Sequence, residues 1–421
     1  MSRRLIDDCF VHDKDRLRHH DALEILRTRL SPVVGEERVD LPNAAGRIIA
    51  ETITATAPVP GTDNAAVDGY AFAHGDFAGV DGTFPLSGRV AAGDLDPPPL
   101  KPGTAVRIFT GAVMPDGADT VAMQEDCDTD GQTSVTIPPG LKAGANRRQA
   151  GEDVSSGSII VEPGTRLRPQ EIAAIATTGA AQIMAFAPVR VAIMSTGNEI
   201  VELGRERAAG QVYDSNKPML RALLAGLPTQ VTDLGVLADD ETTVRQRLAE
   251  AAARFDLVIT TGGASRGEED HLIEAVEALG TRHLWQLAIK PGRPMSFGQI
   301  GNCVVLTLPG NPVAVFVCFL LYARQTLLAL GGADWKEPTG FWLPAGFEMP
   351  RKKPDRREFL RGIIQHDGAM AVGAEKFARD GSGLISGLRA ADGLIEIPEE
   401  VTSVTKGDPV RFVPFSALGI G

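Results

Sequence analysis

The sequence predicts a multidomain protein of α/β and β class, and three observations predict it. Between residues 188 and 330, near-continuous apolar runs alternate with helical stretches. That is the pattern of a parallel sheet with helices on both faces. From about 54 to 154, Gly and Pro are dense and the apolar runs are short, as in a small β unit. After Gly331 and Gly332, short strands appear with little helical periodicity, so a β-barrel or sandwich of roughly 80 residues closes the chain. The expected domains are a discontinuous helical linker (12–53 and 155–187), an inserted β domain (54–154), a three-layer α/β domain (188–331) and a C-terminal β-barrel (336–421).

Each element has its own signal. Leu17, Leu23, Leu26 and Leu30 fall near helical spacing, so residues 15–30 read as an amphipathic helix capped by Asp13 or Asp15. Ser31-Pro32 stops it, and a short helix is expected from Asn43 to Thr52. In the β unit the runs are Gly69–Phe72, Leu86–Ala91, Ala105–Phe109, Thr120–Gln124 and Ser134–Ile137. Pro169 suits the first position of a helix carrying Ile172 and Ile175 on one face. The α/β domain then reads strand Val189–Met194, helix Pro218–Leu224, strand Gln230–Leu237, helix Glu241–Arg254, strand Asp256–Thr261, helix Glu268–Leu279, strand Cys303–Leu308 and a helix from Pro312 to about Leu330. The C-terminal strands are read at Ala369–Val372, Leu394–Ile397 and Val410–Val413.

Composition excludes several classes. The chain has 421 residues and a net charge of -12, with 54 acidic and 42 basic side chains. That acidity argues against a nucleic-acid binder but not against an anionic small molecule, because a pocket's field is local. Cys9, Cys127, Cys303 and Cys318 form no CxxC, which fits a reducing compartment. The apolar stretch Val313 to Ala323 is roughly eleven residues, short of the about 20 that span a bilayer. With no apolar segment at the N-terminus, a cytoplasmic protein without a membrane partner is expected.

Three expected strand ends carry glycine-bearing polar loops: Ser195–Glu199, Thr260–Ser265 and Leu308–Pro312. Amides converging in such loops, next to a helix N-terminus, suit an anion. A tight strand–helix connection explains any one of them alone. No GKS/T and no opening GxGxxG is present, which disfavours a P-loop NTPase and a dinucleotide oxidoreductase. Acidic residues collect at the same loops: Glu199, Asp214, Asp239, Asp240, Glu268, Glu269 and Asp270. They suit helix capping, or a Mg²⁺ held by one or two carboxylates and phosphate oxygens. Lys290-Pro291-Gly292-Arg293-Pro294 puts two cations on a turn, and Arg351 to Arg357 forms a charge run that reads as a solvated face. The seven histidines show no metal-ligand spacing, so His271 and His283 read as packing or surface residues.

The strings DNAAVDGYA, RIFTGAVMP, MQED, RRQAGED, STGNE, DSN, GVLADD, TTGGAS, GEED, AIKPGRP and LPGNP occur in that order between Asp63 and Pro312. Together they resemble the molybdopterin molybdenumtransferase family, the molybdenum insertases of molybdenum-cofactor synthesis. The resemblance implies an α/β domain with the molybdopterin adenylyltransferase fold. It implies a homodimer whose site is shared between subunits, and Mg²⁺-dependent insertion of molybdate into adenylylated molybdopterin with release of AMP. By resemblance, Glu199, Asp239 and Asp270 serve the metal and phosphate. Gly262, Gly263, Ser265, Pro309, Gly310 and Pro312 shape the pterin-phosphate cleft. Lys290, Arg361 and Ser382 grip the oxyanion, and Asp68, Thr110 and Asp153 come from the partner subunit. The molybdopterin adenylyltransferase and the enzymes receiving the cofactor are the implied further partners. Gln286 stands where the family often has a lysine, and the C-terminal match is loose. Two other readings share the fold, a molybdopterin adenylyltransferase and a scaffold without catalysis.

Overall fold

Alternation along one strand sets the architecture. In Val189–Thr196 (β1), Val189, Val191 and Ile193 enter one apolar cluster, whereas Ala192 and Met194 enter another. A strand buried on both faces needs a layer on each side. The computed structural model describes residues 16–77, 82–262 and 271–420. The chain divides into two compact units, one comprising residues 52–162 and 169–181, the other the remainder.

In the larger unit, His19–Arg29 (α1) buries Ala22 and Leu26 against the sheet's core. The helices between strands are Asn216–Ala225 (α2), Glu241–Ala252 (α3), His271–Leu279 (α4) and Pro312–Leu330 (α5). The strands after β1 are Thr229–Leu237 (β2), Leu257–Thr261 (β3), Thr281–Trp285 (β4), Ser296–Ile300 (β5) and Cys303–Leu308 (β6). Their order is β2-β1-β3-β6-β5-β4. Leu220 and Leu224 of α2 pack on one face, and Val244, Leu248 and Ala251 of α3 on the other, at helical spacing. The sheet is therefore the middle of three layers. Its first four strands are parallel as expected, but β5 and β4 are antiparallel additions. The turn Gly301–Asn302 joins β5 to β6 as a hairpin, so no crossover helix intervenes.

The last strands are Phe341–Pro344 (β7), Arg357–Asp367 (β8), Met370–Lys376 (β9), Gly393–Ile397 (β10) and Pro409–Pro414 (β11). Ile289–Lys290 pairs with β8, which continues to β10, β11 and β7, while β9 pairs with the other side of β8. A single bridge, Ala345 to Ala374, links the ends of β7 and β9. Strand β8 begins at Arg357, the last residue of the charge run expected to be a solvated face. The smaller unit carries a sheet ordered Thr120–Met123, Gly69–Phe72, Ala105–Ile108, Gly82–Val90, Ser134–Ile137 and Asp128–Thr129.

One expectation is corrected. No helix covers Asn43 to Thr52: a turn at Leu41–Asn43 gives way to isolated bridges at Ile48 and Ile49, because Pro42 and Gly46 (φ 78°) break the helical pattern. The helix expected from Pro312 to about Leu330 is present over 19 residues, with a mean hydropathy of 2.0 in its most apolar window. It is α-helical at Pro312–Cys318, π-helical at Phe319–Ala323 and α-helical again at Arg324–Leu330. It is 78% buried in the protein interior, which makes it a core helix by packing. Asp13 and Asp15 lie outside the described residues.

Candidate functional site

In the smaller unit, pairing gathers four motifs. Asn64-Ala65 pairs with Arg147-Arg148, Gly69 with Met123, and Tyr70 with Arg107. Side chains tie the loops further. Asp63 accepts from the Ala150 amide at 2.8 Å and pairs with Arg147 at 2.6 Å. Asp68 Oδ1 accepts from the Thr110 amide at 2.8 Å and its hydroxyl at 2.7 Å. Those two bonds hold the Asp68 carboxyl below its ordinary pKa, the amide contributing most. Arg107 donates to Gln124 and lies over the rings of Tyr70 and Phe109. Asp153 is exposed, its amide donating to the Val59 carbonyl.

In the larger unit, polar loops gather at the carboxyl ends of β1, β3 and β6. Ser195 Oγ donates to Asp214 Oδ2 at 2.7 Å and lies 3.0 Å from Thr261 Oγ1. Asp214, 4% exposed, also accepts the amides of Asn216 and Lys217 at 3.1 Å. Asn216 Nδ2 donates to the Gly310 carbonyl at 2.7 Å. Gly262 has φ 89°, and a Cβ there would stand 2.4 Å from the Thr196 carbonyl oxygen. Only glycine lets the loop pass this close to β1. Thr196 Oγ1 and Asn216 Oδ1 are buried beside this junction with no hydrogen-bond partner among the described residues. Such atoms call for a donor or acceptor from a ligand or water.

The acidic residues divide by role. Asp240 is the N-cap of α3, its carboxylate accepting from the Thr243 amide at 2.8 Å. Asp239 is tied to the STGNE loop, its amide donating to Asn198 Oδ1 at 3.2 Å. Glu199 is exposed on that loop, its carboxylate folded against Gly197. The structure thus joins the loops of Glu199 and Asp239 and gives the adjacent Asp240 to the helix. Among the described residues no group of three or more His, Cys, Asp or Glu is placed to hold a metal. Gly263, Ser265, Glu268, Glu269 and Asp270 lie outside the described residues.

A cavity of about 400 Å³ opens between the segment 287–294, the loop after β6 and β8–β9. Lys290, Pro309, Arg361 and Ser382 all line it. Gly310 and Pro312 flank the lining residue Asn311 in sequence without lining it themselves. Among the described residues, six cations border the cavity (Arg16, Lys290, Arg293, Arg356, Arg361 and Lys376) against one carboxylate, Asp380. Behind the wall, Glu358 is 3% exposed in its side chain. It pairs with Lys290 Nζ at 3.3 Å and with Arg356 Nε and Nη2 at 3.0 and 2.6 Å. Arg361 donates to the carbonyls of Leu384 and Arg379 at 2.9 and 2.7 Å. Arg16 and Arg293 have no ion-pair partner among the described residues. Sequence reasoning missed Arg16 and Lys376, which come from segments with no motif of their own, and passed over Arg356, which lies in the charge run read as a solvated face. Gln286 adopts φ 62° and is not in the lining, which begins at Leu287.

A three-layer α/β domain with glycine loops at its strand ends, an inserted β unit and a cation-lined cavity define an anion-handling protein of the open α/β-sheet class. Comparison with known proteins narrows that class. The family models described as "MoeA N-terminal region (domain I and II)", "Probable molybdopterin binding domain" and "MoeA C-terminal region (domain IV)" match residues 17–179, 192–329 and 347–415. A molybdopterin molybdenumtransferase of Haemophilus influenzae is 35% identical over 385 residues, covering 91% of this chain and 94% of that one. One of Nostoc sp. is 35% identical, covering 91% and 84%. A solved structure of a molybdopterin biosynthesis MoeA protein from Pyrococcus horikoshii superposes with a TM-score of 0.81 at 27% identity, over 95% of this chain and 100% of that one. The chain belongs to the molybdopterin molybdenumtransferase family.

Proposed function

We propose that this protein is a molybdenum insertase, which inserts molybdate into adenylylated molybdopterin and releases AMP. The observation that carries the reading beyond family membership is the cavity with six cations and one carboxylate, in a chain whose net charge is -12. A dianionic oxyanion needs such local donors. Lys290, Arg293 and Arg356 supply positive charge at the wall, and Ser382 supplies a hydroxyl. Arg361, held by two carbonyls, shapes the wall as a fixed cation. The junction of Thr196, Gly262 and Gly310 receives the pterin-phosphate part, where Thr196 Oγ1 finds the partner it lacks among the described residues.

The donor set fits Mg²⁺. Glu199 and Asp239 are hard oxygen donors on loops joined through Asn198, and Mg²⁺ takes one or two carboxylates with phosphate oxygens and water. Glu199, Asp239 and Asp270 would hold it. Once bound, it would polarise a phosphoryl oxygen of the substrate. We further propose a homodimer in which Asp68, Thr110 and Asp153 of one copy complete the site of the other. A cytoplasmic location and exchange with a molybdopterin adenylyltransferase and cofactor-receiving enzymes follow from the same reading.

Of the two other readings, adenylyl transfer to free molybdopterin has no support among the relatives, whose names specify molybdenum transfer. The test supplies adenylylated molybdopterin and molybdate and measures AMP. AMP release is expected, and Asp270→Ala should abolish it. Consumption of ATP with free molybdopterin, and no AMP from the adenylylated substrate, overturns the assignment. Unchanged turnover in Asp270→Ala removes that residue from the site.

A further inference from the structure

We propose that a second oxyanion site lies beside the main cavity, built on the consecutive residues Arg351, Lys352 and Lys353. They line a groove of about 610 Å³ that shares Lys290, Arg356 and Lys376 with the main cavity. The reading of this run as a solvated face is half right. Arg351 and Lys353 are exposed, but Lys352 between them is 3% exposed. The loop is pinned by the Met349 amide on the Val404 carbonyl at 2.8 Å and the Lys352 amide on the Thr402 carbonyl at 2.7 Å.

The groove has an unmet demand for negative charge. Of its three carboxylates, Glu358 is already shared by Lys290 and Arg356, Asp380 lies 3.9 Å from Lys376, and Glu348 is exposed to solvent. Arg351 and Lys353 have no ion-pair partner among the described residues. Lys352 has none either: its Nζ donates to the carbonyls of Glu399 at 3.2 Å and Lys353 at 3.4 Å. Burial pushes its pKa below that of a free lysine, partly offset by the charges of Glu358, Glu399 and Glu400. Among the described residues, the six cations lining the groove outnumber its three carboxylates, and a bound anion supplies the balancing charge. The chemistry recognised is a tetrahedral dianion, either free or as the phosphate of a nucleoside monophosphate. Arg351 and Lys353 do not line the main cavity, so the two sites can be separated by substitution.

The experiment titrates sodium tungstate into the full-length protein by calorimetry at low ionic strength. Two sites are expected in the parent chain. The Arg351→Glu, Lys353→Glu double variant, altered only at exposed side chains, should lose one site, its affinity falling by at least about tenfold. The double glutamine variant should show a smaller loss in the same direction. Displacement of one tungstate by AMP would make a nucleotide phosphate the occupant, and no displacement would make it the free oxyanion. Two sites persisting in the double glutamate variant overturn the proposal. A single site that survives in that variant also overturns it, because that site is the main cavity. A single site that vanishes in the variant keeps the groove and overturns the main cavity as the oxyanion pocket instead.

Discussion

Lys290→Ala probes the oxyanion wall with little risk to the fold. Lys290 Nζ lies 3.3 Å from Glu358, and its side chain is 43% exposed. An ion pair this accessible contributes at most about 1 kcal/mol to stability. Glu358 keeps both bonds from Arg356 in the variant, so no carboxylate is buried alone. What the variant loses is one cation of the cavity. A charge-assisted contact to an oxyanion is worth about 1.5–3 kcal/mol, which converts to roughly 10- to 150-fold in affinity. The assay measures the KM for molybdate in AMP-coupled insertion, with tungstate affinity by calorimetry as a check. Both should weaken together by that factor, while the thermal midpoint stays close to the parent's. A change below about threefold in both measurements refutes the assignment of Lys290 to the oxyanion, since it falls short of the weakest contact of this kind.

Two further predictions address the carboxylates. Asp239→Ala should abolish AMP release with an unchanged thermal midpoint, whereas Asp240→Ala should lower the midpoint slightly and keep turnover, because Asp240 caps α3. The opposite pattern in melting and turnover assays would exchange their roles. The Asp68 carboxyl titrates below its ordinary value of 3.8. Its contribution is therefore present above that value and is lost only as pH falls through the lowered one. Thr110→Val removes the hydroxyl bond but not the dominant amide bond, so the Asp68 pKa followed by NMR should rise part of the way toward 3.8. An unmoved pKa would show that the hydroxyl bond is unimportant.

How legible the chain was depends on what buries its residues. The parallel strands β1, β3 and β6 were readable because apolar layers cover both faces, which forces continuous runs of Val, Ile and Leu. Strand β8 was not readable. Its Arg357, Glu358 and Arg361 look like solvent-facing charges, yet partners of opposite sign or carbonyls enclose them. Arg357 pairs with Glu396 at 2.5 Å and Glu399 at 2.8 Å. Sequence shows the charge of such a residue but not its partner 39 or 42 positions away. The pair Asp239-Asp240 was ambiguous for a related reason. Both are acidic beside a helix start, and only the backbone decides which one faces the Thr243 amide. The glycine loops were visible as strings, but the closeness of Gly262 to Thr196 belongs to the packing of β3 against β1.

The distribution of charge shows why an overall count misleads about a pocket. The net charge is -12, but the cations of the main cavity come from four separated stretches of chain: Arg16, the 290–293 turn, the 356–361 strand and Lys376. Pairing Ile289–Lys290 with β8 brings the middle two together, because Lys290 and Glu358 are partners in register. Glu358 then holds two cations at the wall from one buried anchor, which fixes their heads without cancelling both charges. Acidic residues are used elsewhere, Asp240 as a helix cap and Asp214 as the acceptor joining the loops of β1 and α2. An acidic protein can therefore present an anion with a strongly positive enclosure. Charge separation on this scale survives because salt screens the field of an exposed charge over about 8 Å at physiological ionic strength, so acids further away on the outer surface are scarcely felt inside the cavity.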